Sequence, residues 1–377
     1  MAHSKTADAV IAGGGLHGLS TAIHLANAGL RVVLLEKDRV GRHASGANAG
    51  GVRRLGRALP EIPLAVAALD LWKNIEDLVD SSCGFQKSAQ IKVAEDQKGL
   101  STLEKRGQTL RDAGFYHEEI IDAKALHDLL PRVAKHCVGG VIVHGDGHAD
   151  PFATVRAFHR KALSLGVNLH EGTPVRDVTR VDENWQIRID QGLFTAPHFI
   201  NAAGAWGGQI AAMMGDHVPI EGQALMLMIT ERLAPFLSGV VGAQGRALSF
   251  KQFNNGTVLI GGAYQGQVNM STGTTTLDMH QLAANAQAAV AIFPLMRRAR
   301  VARAWAGIEG ITPDSLPVIG PAGQGGGFHL FGFSAHGFAL SPISGRIVAD
   351  LICGTHNNWS INAFSHARFP NQINASI

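Results

Sequence analysis

The chain has 377 residues, of which 46% are hydrophobic and 17% charged. That length exceeds what one hydrophobic core usually supports, so a packed enzyme of two domains is expected rather than a disordered or fibrous chain. A net charge of +3 without a long basic block argues against nucleic acid as a partner.

Cys83, Cys137 and Cys353 stand far apart with no Cys-x-x-Cys pair, the pattern of reduced thiols in a cytoplasmic protein. The histidines are scattered without a His-Glu-x-x-His pair, so no metal site is expected. Only seven residues precede the first apolar run, which leaves no room there for a signal peptide. No apolar run reaches the roughly eighteen residues of a membrane span.

Asp8–Ala12 is a short apolar run of the kind a buried parallel strand takes. Gly13-Gly14-Gly15-Leu16-His17-Gly18 then forms a Gly-x-Gly-x-x-Gly turn, and Ala22, Ile23, Leu25 and Ala26 follow at helical spacing until Gly29. Arg31–Leu35 is a second strand that closes on Glu36. Each part has a physical task. Gly13 permits a tight turn, Gly15 lets backbone approach a pyrophosphate, and Gly18 lets helix and strand pack closely. Helix N-terminal amides favour phosphate, and Glu36 is placed to accept hydrogen bonds from a ribose. A dinucleotide is therefore expected, with NADP disfavoured by the acid at position 36.

The segment after Glu36 points to FAD rather than NAD. Instead of further strand–helix units, the chain runs through small residues from Arg42 to Val52, which can lay amides along a diphosphate and a ring without steric conflict. Further on, Val218–Ile229 and Ala247–Ala263 read as strands broken by an Asn254-Asn255-Gly256 hairpin turn, and Leu277–Phe293 as a helix covering that sheet.

These motifs make the sequence similar to the glycine oxidase / D-amino-acid oxidase family of FAD-dependent oxidoreductases. The likeness runs through Leu35-Glu36-Lys37, Ala44-Ser45 and Ala49-Gly50-Gly51. It continues through Gly147–Pro151, Thr173-Pro174-Val175 and Ile200–Trp206, and ends in Trp305-Ala306-Gly307, Thr312–Asp314, Pro317–Gly320 and Gly332–Phe338. The resemblance implies a mixed α/β fold, with a Rossmann-type FAD domain at 1–85, 150–215 and 312–377. A substrate domain on an antiparallel sheet with helices would be inserted at 86–149 and 216–311. It implies non-covalent FAD held by Gly13, Gly15, Leu16, His17, Gly18, Glu36, Lys37, Ala44, Ser45, Ala49, Gly50, Gly51, Val175, Ala203, Gly204, Trp206 and Gly307. The last flavin-facing turn would be Ser334, Ala335, His336, Gly337, Phe338 and Ala339.

The implied reaction is oxidation of a small amino or imino acid, by hydride transfer from the carbon beside nitrogen to the flavin. Oxygen, a quinone or a partner subunit would be the acceptor, in a homo- or hetero-oligomer. Gly51-Val52-Arg53 with Gly307–Gly310 also resembles the hydroxyproline dehydrogenase branch. Two alternatives stand beside this: a 2-hydroxy-acid substrate, and the FAD-bearing subunit of a larger amino-acid or opine dehydrogenase.

The likeness also has a gap. The family's carboxylate-binding Arg and Lys positions are occupied by Glu309 and Ala339. A carboxylate in a closed site needs a cation, and Arg53, joined to the small-residue loop, is the expected replacement, with Arg303 or Lys251 next. The competing reading of Arg53 is a surface cluster with Arg54 and Arg57. Glu309 either reads the substrate's amine or pairs with Arg303. His336 serves either as a packing contact or as a base.

Overall fold

The computed structural model describes residues 4–355 and 359–369. Ala9–Ala12 and Val32–Leu35 are four-residue strands buried throughout and paired in parallel, Ala9 opposite Val32. Being covered on both faces, they are continuously apolar rather than alternating. The helix between them runs Leu16–Asn27, and Gly29 takes φ of 85°, the left-handed position that ends a helix.

Four more strands complete a six-stranded sheet around this unit. Asn168–His170 adds beside Val32–Leu35, while His198–Asn201 and then Gly327–Phe331 add beside Ala9–Ala12, all in parallel. Val318–Pro321 closes the edge antiparallel. Helices Leu16–Asn27, Ile62–Lys73, Pro151–Ser164 and Gly337–Cys353 cover one face, where Leu19, Ile23, Trp72, Phe158, Leu340 and Ile347 share a core. A four-stranded sheet of Ser4–Thr6, Asp177–Val181, Asn184–Ile189 and Gly192–Ala196 covers the other, through Val10, Leu35, Trp185 and Phe199.

A ten-stranded sheet carries a separate core of Val93, Met226, Val241, Phe250, Ile260 and Phe293. Its centre is Glu221–Thr230, paired antiparallel with the long Val301–Ile311 strand. Gln90–Ala94 joins it from far away in sequence, parallel to Val240–Gln244. The expected hairpin is present between Ser249–Gln252 and Val258–Gly261, with Gly256 at φ of 88° in the turn. Helix Met279–Ile292, capped by the Asp278 carboxylate, covers this sheet. A short ribbon of Gly51–Val52, Gly147–His148 and Gln86–Lys87 ties the two sheets together.

Where helix Gly337–Cys353 crosses helix Leu16–Asn27 there is no room for a side chain. A Cβ on Gly345 would overlap the Ser20 hydroxyl and stand 2.6 Å from the Thr21 nitrogen. Gly345→Val should therefore destabilise the protein by about 1–3 kcal/mol through overpacking, read as a lowered thermal midpoint. A midpoint unchanged from the parent would show that the two helices can move apart freely.

Candidate active site

The two sheets face each other across a cleft of about 1120 Å³. Its floor begins where strand Ala9–Ala12 ends. Gly13 has φ of 113°, and a Cβ there would lie 2.7 Å from the Ala202 carbonyl carbon. Gly18 stands behind the wall rather than in it: a Cβ would overlap the Gly13 carbonyl oxygen, so its task is the close approach of helix to strand. Gly15 is the N-cap and supplies no side-chain cap, and the Ser45 hydroxyl accepts the Leu16 N–H at 3.0 Å. The following amides have no partner within the helix, as an anion site requires.

Glu36 is buried, with its carboxylate accepting N–H bonds from Gly14 and Asp38, each at 2.7 Å. Burial raises its pKa against the pull of those two amides. Each oxygen keeps a further lone pair for a hydroxyl. Lys37 pairs with Asp38 and sits 3.8 Å from the centre of the Trp206 ring. Val175, Ala203, Gly204 and Trp206 line the same end.

Toward the other end the wall is made of Ala44, Ser45, Ala49, Gly50 and Gly51. Gly307 closes against them, since a Cβ there would lie 2.7 Å from the Ala47 Cβ. Gly337 and Phe338 line the cleft together with Ala335, whose φ is 64°. His17 lies under this turn, stacked on Phe333 with ring centres 3.6 Å apart and bonded to the Ser344 hydroxyl at 2.8 Å. Burial lowers its pKa to about 3, so it is a neutral packing ring. Open helix amides, a side-chain-free wall and a buried carboxylate for a ribose fit FAD along the length of this cleft.

Three expected members of the flavin-facing turn do not line the cleft. Ser334 hydrogen-bonds with Thr312 at 3.2 Å. Ala339 is packed into the helical core, its carbonyl accepting from the Trp72 indole at 2.8 Å. The His336 ring turns to Glu61, with Nδ1 3.0 Å from the carboxylate, and burial lowers its pKa to about 4. A ring fixed in that way is not a base facing the cleft, and its sequence neighbours Ala335 and Gly337 take the wall position.

Arg53 lines the cleft and is not a surface residue; its guanidinium donates to the Leu55 carbonyl. Sequence reasoning grouped Arg57 with a surface cluster, yet it is 1% exposed and also lines the cleft. Its Nε donates to the Arg53 carbonyl at 3.1 Å, and its Nη1 has no hydrogen-bond partner. Arg54 alone of the three leaves the cleft, paired to Asp146 at 2.8 Å. Lys92 and Gln90, on the strand from the distant 86–149 segment, line the cleft without having been foreseen. No short motif marks them.

Glu309 lies on the wall, opposite Gln223 in strand pairing, and accepts a hydrogen bond from the Ala335 amide. Burial raises its pKa to about 7. Pairing with Arg303 does not occur among the described residues: Arg303 lies six positions away on the same strand and is exposed. Lys251 is buried beside the Phe253 ring, outside the cleft lining. Away from the cleft, Asp216, His329 and His366 gather in one group. There His329 lies between donor and acceptor, with the Asn201 amide at 3.3 Å from Nδ1 and the Asp216 carboxylate at 2.9 Å from Nε2. That arrangement puts the ring proton on Nε2, where a metal would bind.

The fold and cleft define a dinucleotide-binding oxidoreductase with a small-molecule chamber at one end. A profile of the DAO family, FAD dependent oxidoreductase, matches residues 8–351, and the chain belongs to that family. Rat mitochondrial dimethylglycine dehydrogenase is 26% identical over 342 residues, 84% of this chain; the chain spans only 39% of that protein's length. Sarcosine oxidase subunit beta of Rhizobium meliloti is 26% identical over 372 residues, 96% of this chain and 88% of its own length. The crystal structure of glycine oxidase from Geobacillus kaustophilus superposes with a TM-score of 0.89 at 24% identity, covering 97% of this chain and all of that one. No helix among the described residues is long and apolar enough to cross a membrane.

Replacing Glu36 by Ala should weaken FAD by about 1–3 kcal/mol, since ribose hydroxyls lose a charged acceptor. Titration of the stripped protein with FAD reads this directly, and affinity equal to the parent would refute the ribose role. Acid denaturation of the yellow protein should release FAD into the supernatant; flavin retained on the precipitate would reveal a covalent link.

Proposed function

We propose that the protein oxidises a small amino or imino acid, with Arg53 holding the substrate carboxylate and Glu309 facing its nitrogen. The observation that carries this reading is the half-buried Arg53 guanidinium on the cleft wall, which has no carboxylate in ion-pair reach among the described residues. A cation partly withdrawn from water in this way calls for an anionic partner, and an amino-acid carboxylate matches its fork bidentately.

FAD, when bound, supplies the acceptor for the hydride leaving the carbon beside nitrogen. What the chain must do is remove a proton first, because an ammonium has no lone pair to expel hydride. Glu309, raised by burial to about 7, is matched to that task near neutral pH. Its carboxylate takes one proton from the substrate ammonium, and the neutral amine is then held by the same group. Likeness to sarcosine oxidase subunit beta supports a second reading, that the chain is one subunit of a larger dehydrogenase. Turnover of the chain purified alone with an artificial acceptor separates the two.

Arg53→Ala should raise KM about a hundredfold while FAD stays bound, the loss of a charged pair of roughly 2–4 kcal/mol. A KM within about threefold of the parent would place the anchor elsewhere.

Glu309→Gln gives a pH test of a different kind. The folded pKa of about 7 lies above the ordinary 4.5, so the burial is cheapest for the neutral acid. The associated stability is full below pH 4.5 and is lost as pH rises through 7. Glu309→Gln should remove that slope, leaving the variant about 1–3 kcal/mol more stable than the parent above neutrality. It should also abolish the rise in kcat/KM near pH 7. Parallel stability curves for the two proteins would show that Glu309 ionises freely.

A further inference from the structure

Arg53 is not alone on its side of the cleft. Arg57 and Lys92 line the same wall. Repulsion from Arg53, after burial, lowers the pKa of each. Arg57 is held at about 9 and stays a cation at neutral pH.

Two of the acids nearest to them are committed elsewhere: Asp146 pairs with Arg54 and Glu118 with Arg106, each at 2.8 Å. Glu61 lies 3.0 Å from the neutral His336 ring and is the ion-pair partner of Arg57. Glu61 comes no nearer to the Arg57 Nη1 than 3.9 Å, and that buried nitrogen makes no hydrogen bond. Lys92 has neither an ion pair nor a side-chain hydrogen bond among the described residues. One substrate carboxylate on Arg53 still leaves the buried Arg57 Nη1 without a hydrogen-bond partner and the half-buried Lys92 without an ion pair among the described residues. Such charges are retained at a cost unless something pairs with them.

We propose that the cleft takes an amino or imino acid bearing a second carboxylate, which Arg57 and Lys92 bind while Arg53 holds the first. The proposal rests on the carboxylate reading given above for Arg53 and narrows it from amino acids in general to amine dicarboxylates. Arg57, held at its Nε by the Arg53 carbonyl, is positioned to keep the two carboxylates at a fixed separation. Substrate selection then follows from charge: a monocarboxylate leaves part of the wall unpaired, and a dicarboxylate answers it.

The test uses inert anions of matched length on the FAD-loaded protein, valerate and glutarate, with binding read from the change in flavin absorbance. Glutarate should bind at least tenfold more tightly than valerate. In Arg57→Met and separately in Lys92→Met, glutarate should lose at least tenfold more affinity than valerate does. Matched substrates give an independent reading, since iminodiacetate should reduce the flavin with a lower half-saturation than sarcosine. If valerate and glutarate bind alike, or if the preference survives both substitutions, the dicarboxylate assignment falls and the Arg53 reading stands. If neither anion binds, the carboxylate reading falls and takes this assignment with it.

Discussion

The cleft depends on one close approach of backbone to backbone, where the end of strand Ala9–Ala12 meets Ala202 with no side chain between them. Gly13 takes a positive φ there, and any Cβ would run into the Ala202 carbonyl. Gly18 repeats the constraint a turn later, against the carbonyl of Gly13 itself. Together they aim the first turn of helix Leu16–Asn27 along the cleft floor with its amides uncovered, and they bring Gly14 within hydrogen-bond reach of Glu36. Phosphate recognition and ribose recognition are thus two consequences of the same absence of side chains.

The rest of the site is arranged by how two sheets meet. The ribbon joining Gly51–Val52 to Gly147–His148 fixes the small-residue loop at the seam, and Gly307 brings the centre of the large sheet down onto Ala47. The long Val301–Ile311 strand then delivers Glu309 to one wall, and Gln90–Ala94 delivers Lys92 to the same cleft. These walls are rigid because each strand lies within a ladder; site geometry built on strands is held more tightly than geometry built on loops.

This division explains what the sequence made legible. The cofactor unit is local: strand, glycines, helix, strand and acid follow one another within thirty residues or so, and each residue type has a steric reason visible without the fold. The hairpin at Asn254-Asn255-Gly256 and helix Met279–Ile292 are likewise short-range, and both formed where the pattern placed them. The orientation of His336 was not legible, because it is set by Glu61, 275 positions away. The resemblance set Ala339 where a substrate-binding lysine was expected, but the methyl there simply joins the helical core. Arg57 was misread for a similar reason. An arginine in a basic run is ordinarily a solvated one, and only the packing of Arg53, Glu61 and His336 around it shows otherwise. Lys92 carried no signal, since its strand reaches the cleft through a parallel pairing with Val240–Gln244.

The electrostatics of the chamber have a structure of their own. The raised pKa of Glu309 arises from burial, opposed only by the Ala335 amide, and no cation contributes to it. Arg53 and Arg57 in turn are influenced by Glu61 and Asp146 but not by Glu309. Two groups of opposite chemistry therefore line one cleft, and no ion pair joins them among the described residues. Had they been adjacent they would have paired, and the chamber would have been neutral and self-satisfied. Kept apart, they leave a cationic side and a weakly acidic side facing the same volume. On the reading proposed above, a small molecule with a carboxylate at one end and an amine at the other would span that gap in a single orientation, and the carbon joining those groups would be carried to a defined place between the walls. Regiochemistry of this kind needs no general base poised at the reacting hydrogen; it follows from where the charges are and from how far the sheets hold them apart.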